Sequence, residues 1–286
     1  MKVQHPMVTA IHWNGVAVWE VRTNQAVARV SCLGGQLLSW QPRGHEEVLW
    51  CSPQLQPPRA LRGGVPLCWP WFGAHPTDPR APAHGLARTA HWQLDHAHLQ
   101  DDGRVELALS PLQPLHTGLR VQQRMVIGTV LEQRVTSHNV GERPEPVSQA
   151  LHGYWAVADV QAVQVHGLDG CHYIDALAAG RVGHQVGSWQ CDPAVHGGRC
   201  DRVYDKVPGA LVLHDLATGR RLQLQLEGGQ SWVLWTPGRE LGLQMADVGP
   251  QWPHYLCVEA ANVGTDARVL APGQVHTLKQ VVQLLD

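Results

Sequence analysis

The sequence predicts an all-β fold, a large antiparallel β-sandwich. Three observations lead to this prediction. Apolar and polar residues alternate with a period of two in several short segments, turn residues separate these segments, and no stretch keeps a helical periodicity. The 29 glycines and 20 prolines are spread evenly along the 286 residues. Strands that alternate with long helices are absent, so a doubly wound nucleotide-binding fold is disfavoured.

The predicted strands follow one another along the whole chain. In Arg221-Leu-Gln-Leu-Gln-Leu-Glu227 the leucines point to one face and the glutamines to the other, which predicts a strand with one buried face. One helical turn is expected at 175–179. The other segments predicted as strands are 16–21, 27–30, 104–110, two strands around Gly128 within 121–140, 256–258 and 275–285.

Composition and charge limit what the chain does. No linker divides it, so we expect residues 1–286 to form one domain, with a monomer as the expected state. The net charge of −2 offers no basic surface for nucleic acid or for an anionic membrane. The seven widely spaced cysteines favour reduced thiols over disulfides or structural zinc. Without a signal-peptide pattern at its start or a long apolar run, the chain is expected to be cytoplasmic.

Residues 62–92 combine paired glycines, prolines, tryptophans and arginines. This composition suits neither a helix nor a central strand. Arg62, His84 and Arg88 lie here among aromatic rings, which present flat faces to a sugar, while arginine presents a planar fork to phosphate or carboxylate. The segment is interpreted as a pocket wall; the alternative is a long connection stabilised by tryptophan burial.

Three polar residues stand in apolar surroundings. His152 lies in Leu-His-Gly-Tyr-Trp, and Glu259 lies in the strand-like run Tyr255-Leu-Cys-Val-Glu-Ala-Ala-Asn262. A carboxylate aimed from a strand into a pocket is a candidate general base with a raised pKa; the alternative is a buried ion pair with an arginine. His152 and His84 are candidate site histidines, or buried histidines with satisfied hydrogen bonds.

Other chemistries find weaker support. Asp201 and Asp247 are candidates to orient a sugar hydroxyl or a histidine, or to cap a turn. His96 and His98 form the only close histidine pair, which is a weak metal signal. We therefore predict no functional metal. Nucleophile-elbow, phosphate-loop and dinucleotide-binding motifs are absent, which disfavours serine hydrolases, P-loop enzymes and NAD-dependent oxidoreductases.

Together these motifs resemble the aldose 1-epimerase-like family, in particular its glucose-6-phosphate 1-epimerase branch. They occur in the family's order over residues 33–263, and the block that begins at Arg62 is the most specific of them. The matching segments are Leu38-Ser-Trp40, Glu47-Val-Leu-Trp50, Arg62-Gly-Gly-Val-Pro-Leu-Cys-Trp-Pro-Trp-Phe-Gly73, Pro82-Ala-His-Gly-Leu-Ala-Arg88, Leu151-His152, Asp201-Arg-Val-Tyr204, Trp235-Thr-Pro-Gly238 and Val258-Glu259.

The resemblance implies a galactose mutarotase-like supersandwich that interconverts the α and β anomers of a hexose 6-phosphate without a cofactor. It implies Glu259 as the general base at the C1 hydroxyl and His152 as the general acid at the ring oxygen. It further implies His84 as a hydrogen-bonding partner of the opening ring and Asp201 as a ligand of a ring hydroxyl. Arg62 and Arg88 would bind sugar oxygens and the 6-phosphate.

Several points stay open at this stage. The chain departs from the family pattern at Gly153-Tyr-Trp155, at Thr236 and in the loop after Gly73. The roles of Arg59, Arg80 and Arg239 are undecided. The alternatives are an epimerase of unphosphorylated aldoses, a non-catalytic carbohydrate-binding or sugar-sensing module on the same fold, and a metal-dependent β-barrel enzyme.

Overall fold

The computed structural model describes residues 6–207 and 209–285. The first five residues, on which the expectation about a signal peptide partly rests, lie outside them. Strands dominate the described part of the chain, and we number them in chain order. They are β1 (Val8–Trp13), β2 (Val16–Arg22), β3 (Ala26–Ser31), β4 (Leu37–Pro42), β5 (Leu67–Cys68), β6 (Trp92–Leu99), β7 (Val105–Pro111), β8 (Leu119–Ile127), β9 (Val130–Asn139), β10 (Glu145–Val147), β11 (Gln149–Leu151), β12 (Tyr154–Ala156), β13 (Val163–His166), β14 (His172–Asp175), β15 (Arg181–His184), β16 (Trp189–Gln190), β17 (Cys200–Tyr204), β18 (Ala210–Asp215), β19 (Arg221–Glu227), β20 (Ser231–Thr236), β21 (Tyr255–Asn262), β22 (Arg268–Leu270) and β23 (Val275–Leu285).

Helical structure is limited to short pieces. The α-helix α1 spans Gly238–Gln244. Single turns of 3₁₀-helix lie at Ala87–Thr89, Val160–Ala162, Ala176–Ala178, His196–Gly198 and Gly264–Asp266, and a longer one at Gly249–His254. Within the described residues, no helix is long and apolar enough to cross a membrane.

Two large antiparallel sheets form the body of the fold. The nine-stranded sheet has the order β16-β13-β18-β19-β23-β9-β8-β7-β6. The eight-stranded sheet has the order β15-β14-β17-β20-β21-β11-β5, and β12 also pairs with β21. The strands β1 to β4 form a further sheet, and β10 pairs with β22. Apolar side chains of both large sheets share one buried cluster, which includes Leu224 and Leu278 from the first and Leu151 and Val258 from the second.

A buried polar network joins the two sheets. The Ser137 hydroxyl in β9 donates to Gln149 Oε1 in β11 over 2.9 Å, and Gln149 Nε2 donates to Asn262 Oδ1 in β21 over 3.1 Å. His276 Nε2 in β23 lies 2.9 Å from the same oxygen of Asn262. Gln149 and Asn262 therefore point toward the nine-stranded sheet. Because side chains alternate along a strand, Glu259 points to the opposite, outer face of β21.

This network predicts a measurable stability effect for Gln149→Leu. The substitution leaves the hydroxyl of Ser137 and the side chain of Asn262 short of a buried partner, so we expect the free energy of unfolding to fall by about 2–4 kcal/mol. Urea unfolding measures the change. The matched control is Gln93→Leu, at an exposed position of β6, which should change the free energy of unfolding by less than about 0.5 kcal/mol. Equal values for the two variants would contradict a structural role for the network.

The predicted all-β class is confirmed, and so are the strands named above. Segment 221–227 forms β19, whose residues alternate in burial as the leucine–glutamine pattern predicts. The turn expected at 175–179 is the 3₁₀ segment Ala176–Ala178, capped by the Asp175 side chain. The helix α1 was not predicted. It has seven residues, no side-chain cap at its start and Gly242 packed against Trp252, so tertiary contact rather than local pattern accounts for it.

Candidate active site

His152 and Glu259 face each other across two strands. In the pairing of β11 and β12 with β21, Leu151 lies opposite Ala260 and Tyr154 opposite Cys257. The same antiparallel register puts His152 opposite Glu259, and directly opposite side chains are close neighbours in a sheet. His152 Nε2 lies 3.3 Å from Glu259 Oε1, and the side chains are 11% and 1% exposed. Among residues 6–207 and 209–285 no arginine forms an ion pair with Glu259, so the alternative of a buried ion pair with an arginine is wrong for the described residues.

A local interruption of the ladder presents His152. Its backbone N–H donates to Pro66 O over 2.9 Å, which continues the pairing of β11 with β5 on the side away from β21. The next residue has to be glycine, because a Cβ at Gly153 would lie 2.5 Å from the indole ring of Trp155. That indole donates to Val258 O over 2.9 Å on the core side. Gly153, which departs from the family pattern, is thus explained by the packing of Trp155.

Burial acts on both members of the pair. It raises the pKa of Glu259 well above its ordinary value, and the neighbouring Asp201 raises it further while Arg88 opposes the shift. Burial also lowers the pKa of His152 well below its ordinary value, as do the nearby His84 and Arg88. For His152, as for Glu259, desolvation is the largest effect on the pKa. The two groups form a coupled pair that can share a proton.

His84 completes a group of rings around the pair. Its ring centroid lies 5.8 Å from that of His152, edge to face, and 4.8 Å from that of Phe72. Burial, followed by the charges of Arg88 and Arg62, lowers the pKa of His84 to about 4. His84 is therefore a neutral imidazole near neutral pH.

The two arginines differ in how their charge is compensated. Arg62 Nε donates to Asp247 Oδ2 over 2.6 Å, and another of its nitrogens donates to the Tyr154 hydroxyl over 3.4 Å. Arg88 donates to Ala83 O over 2.6 Å. Within residues 6–207 and 209–285 no carboxylate pairs with Arg88. Arg88 thus supplies the uncompensated positive charge of the site.

Asp201 approaches the pair from the next strands of the sheet. It lies in β17 opposite Trp235 of β20, and Trp235 lies opposite Cys257 of β21. Burial raises the pKa of Asp201, with an opposing effect from Arg199. Cys257 and Glu259 are two residues apart in β21 and point to the same face, so the register places Asp201 and Glu259 on that face.

An aromatic wall lines the same face of the sheet. Tyr255 stacks on Trp50 with a centroid distance of 4.3 Å, and Tyr154 stacks on the His152 ring at 4.9 Å. Trp235 lies 6.3 Å from Tyr255 in a stacked orientation. Flat rings of this kind pack against the apolar face of a sugar.

The structure brings together all six residues selected from the sequence: Arg62, His84, Arg88, His152, Asp201 and Glu259. Asp247 is a partner of Arg62 rather than a turn cap. Sequence reasoning missed Tyr154 and Tyr255. Tyr154 stands two residues after His152, so the alternation of a strand predicts that these two side chains lie on one face.

The undecided arginines lie at the surface. Arg59, Arg80 and Arg239 are exposed, and Arg59 lines a cavity of about 190 Å³ beside Arg62 and Asp247. The loop pair Arg80 and Asp78 is 3.5 Å apart. Of the histidine pair in β6, His96 Nε2 lies 3.8 Å from Glu106 Oε1, in an exposed contact.

The arrangement suits proton transfer at adjacent oxygen atoms. One carboxyl and one imidazole lie side by side, a neutral imidazole faces them, and arginine supplies positive charge at the edge. Neighbouring acid and base groups with shifted pKa values are typical of general acid–base catalysis.

Comparison with known proteins shows that the chain is similar to aldose 1-epimerases. The sequence profile of the aldose 1-epimerase family matches residues 18–283. A protein of Salmonella typhimurium named "Putative glucose-6-phosphate 1-epimerase" is 34% identical over 244 residues, which cover 82% of this chain and 79% of that one. A protein of the same name from Escherichia coli K12 is 32% identical over 90% of this chain and 87% of its own.

The fold also has solved counterparts. A crystal structure from Salmonella typhimurium, titled as a "putative mutarotase", has a TM-score of 0.89 and 28% identity, and the match covers all of this chain and 96% of that one. A crystal structure titled as a galactose mutarotase-like protein from Lactobacillus casei has a TM-score of 0.70 at 13% identity. The galactose mutarotase-like β-sandwich is therefore confirmed.

Proposed function

This chain belongs to the aldose 1-epimerase family, and we propose that it is an isomerase that interconverts the α and β anomers of glucose 6-phosphate. The observation that carries the proposal is the contact of 3.3 Å between His152 and Glu259 on the sugar-facing side of the sheet. A sugar-binding module needs no acid and base in contact at one point. The pair therefore favours catalysis over binding alone.

Ring opening moves two protons. The step starts with the shared proton on His152 and with Glu259 ionised. Glu259 takes the proton of the C1 hydroxyl while His152 delivers its proton to the ring oxygen; the bond between C1 and that oxygen breaks and C1 becomes an aldehyde. Rotation about the C1–C2 bond presents the other face, and the two transfers run backwards to close the ring. Both oxygens are bonded to C1, so the acid and the base have to lie side by side, as His152 and Glu259 do.

The other residues orient the sugar. Asp201 accepts a hydrogen bond from a ring hydroxyl, and the neutral His84 contacts the opening ring near its oxygen. Trp235, which is only partly buried, packs against the ring, and the buried rings of Trp50, Tyr154 and Tyr255 support this face of the sheet from behind. The enzyme needs no cofactor for this reaction, and we propose that it acts as a cytoplasmic monomer of a single domain.

The preference for a phosphorylated sugar rests on Arg88. Its charge is uncompensated within the described residues, whereas Asp247 neutralises Arg62 at 2.6 Å. A guanidinium binds a phosphate through two parallel hydrogen bonds. The proposal therefore assigns the 6-phosphate mainly to Arg88, with Arg62 in support.

Arg88→Ala tests the phosphate preference. We expect kcat/KM for glucose 6-phosphate to fall at least about tenfold, the loss of a charge-assisted contact, while the value for glucose changes little. The control is Arg80→Ala, whose side chain is 91% exposed in the same segment. Equal losses for both sugars, or no loss, would show that Arg88 does not bind the phosphate and would favour an epimerase of free aldoses.

A further inference from the structure

The ring of His84 is held by two neighbours at the same nitrogen. The backbone N–H of Gly73 donates to His84 Nδ1 over 3.3 Å. The sulfur of Cys68 lies 3.4 Å from the same Nδ1. Within the described residues, Nε2 of His84 has no hydrogen-bond partner from the protein.

These contacts decide which nitrogen carries the proton. A backbone N–H can only donate, so the long contact from Gly73 favours an accepting Nδ1, and a neutral imidazole with an accepting Nδ1 carries its proton on Nε2. Burial and the charges of Arg88 and Arg62 keep the ring neutral near pH 7. His84 therefore presents an N–H at Nε2.

In this tautomer Cys68 is the second donor to Nδ1 and shares its single lone pair with the Gly73 N–H. Its thiol is fully buried in β5, and burial raises its pKa above the ordinary value, so it remains S–H. If Nδ1 carried the proton and directed it at the sulfur, this N–H would also face the backbone N–H of Gly73, and two donors would meet without an acceptor. The thiol hydrogen consequently points at the lone pair of Nδ1.

We propose that Cys68 is a positioning residue that, with the Gly73 backbone, locks His84 in the Nε2–H tautomer, so that His84 is a fixed hydrogen-bond donor to the sugar and takes no part in proton abstraction. The inference rests on the proposed function in one respect: that the group which accepts from Nε2–H is the sugar. It explains why His152 and Glu259, and not His84, act as general acid and general base, and why the aromatic segment contains a cysteine.

The first test needs no substrate. Long-range ¹H–¹⁵N correlation spectra of the ¹⁵N-labelled protein distinguish the two tautomers, with His84 assigned by the missing signals of His84→Gln. We expect Nδ1 to be unprotonated and Nε2 protonated at neutral pH. A proton on Nδ1 in the wild type would overturn the proposal.

Variants of Cys68 separate positioning from packing. In Cys68→Ala only the long contact of 3.3 Å from the Gly73 N–H still favours the Nε2–H tautomer. We therefore expect the other tautomer to become partly populated and kcat for the anomer exchange to fall roughly threefold to tenfold, the loss of one hydrogen bond, with KM little changed. Cys68→Ser keeps a donor and should restore both the tautomer and kcat. The control is Cys200→Ala, a buried cysteine that donates to Leu234 O instead.

The remaining outcomes are also decisive. A folded Cys68→Ala protein with the wild-type tautomer, or with a changed tautomer and unchanged kcat, would overturn the role of Cys68. Should the alanine variant fail to fold, the wild-type and serine spectra decide the tautomer. If the wild type does not accelerate anomer exchange, the proposed function fails, but the spectra still test the lock on His84.

Discussion

Glu259→Gln should reduce the enzymatic rate of anomer exchange by roughly 10²–10⁴-fold, the usual contribution of a positioned general base. Glutamine keeps the shape and the contact with His152, but its amide accepts no proton from the C1 hydroxyl. The rate is measured by NMR exchange between the two anomers. Glu240→Gln, at an exposed position of α1, is the control and should retain wild-type activity. A retained rate in Glu259→Gln would remove Glu259 as the base.

The same substitution should stabilise the protein. Because burial raises the pKa of Glu259 in the folded state, the unfolded chain ionises more readily, and the carboxyl costs stability as pH rises above about 4.5, its ordinary value. The variant should therefore unfold at a higher temperature than the wild type above that pH. The difference in melting temperature should grow as the pH rises toward the pKa of Glu259 in the folded wild type, and it should disappear below pH 4.5. A lower melting temperature at pH 8 would contradict the raised pKa.

His152→Gln should lower the rate of exchange by a comparable factor, roughly 10²–10⁴-fold, since no other acid in the described residues contacts Glu259. The wild-type pair is active when it holds one proton, so its rate should fall at low pH, where both groups are protonated, and at high pH, where neither is. In the variant, the change of rate that is due to titration of His152 should be absent from the pH–rate profile. The control is His98→Gln, at an exposed position of β6.

The control also separates two mechanisms. An inactive His98→Gln protein together with an active His152→Gln protein would favour a metal-dependent enzyme that uses the histidine pair of β6. The reverse result is the one expected from the contact between His152 and Glu259.

Much of the fold was predictable because its signals are local. Alternation within 221–227 reports one strand and its buried face, and turn residues mark the ends of others. The helix α1 has only seven residues, which is too short for a periodic pattern to identify. Its packing on Trp252 is a tertiary contact, and the sequence around Gly238 contains no sign of it.

The site was predictable in its residues but not in its connections. The resemblance selected His152 and Glu259, yet their opposition depends on the register between strands more than 100 residues apart. The bond between Arg62 and Asp247 joins residues 185 positions apart and had no local signal. The neutral state of His84 likewise depends on burial and on two arginines, which no motif encodes.

The central claim is that this protein accelerates anomer exchange of glucose 6-phosphate through Glu259. The most direct measurement is NMR exchange between the α and β anomers of that sugar, with wild-type protein, Glu259→Gln and no protein. We expect acceleration by the wild type and a rate near the spontaneous one for the folded variant. Folded wild-type protein that leaves the spontaneous rate unchanged would contradict the claim and favour a role in sugar binding alone.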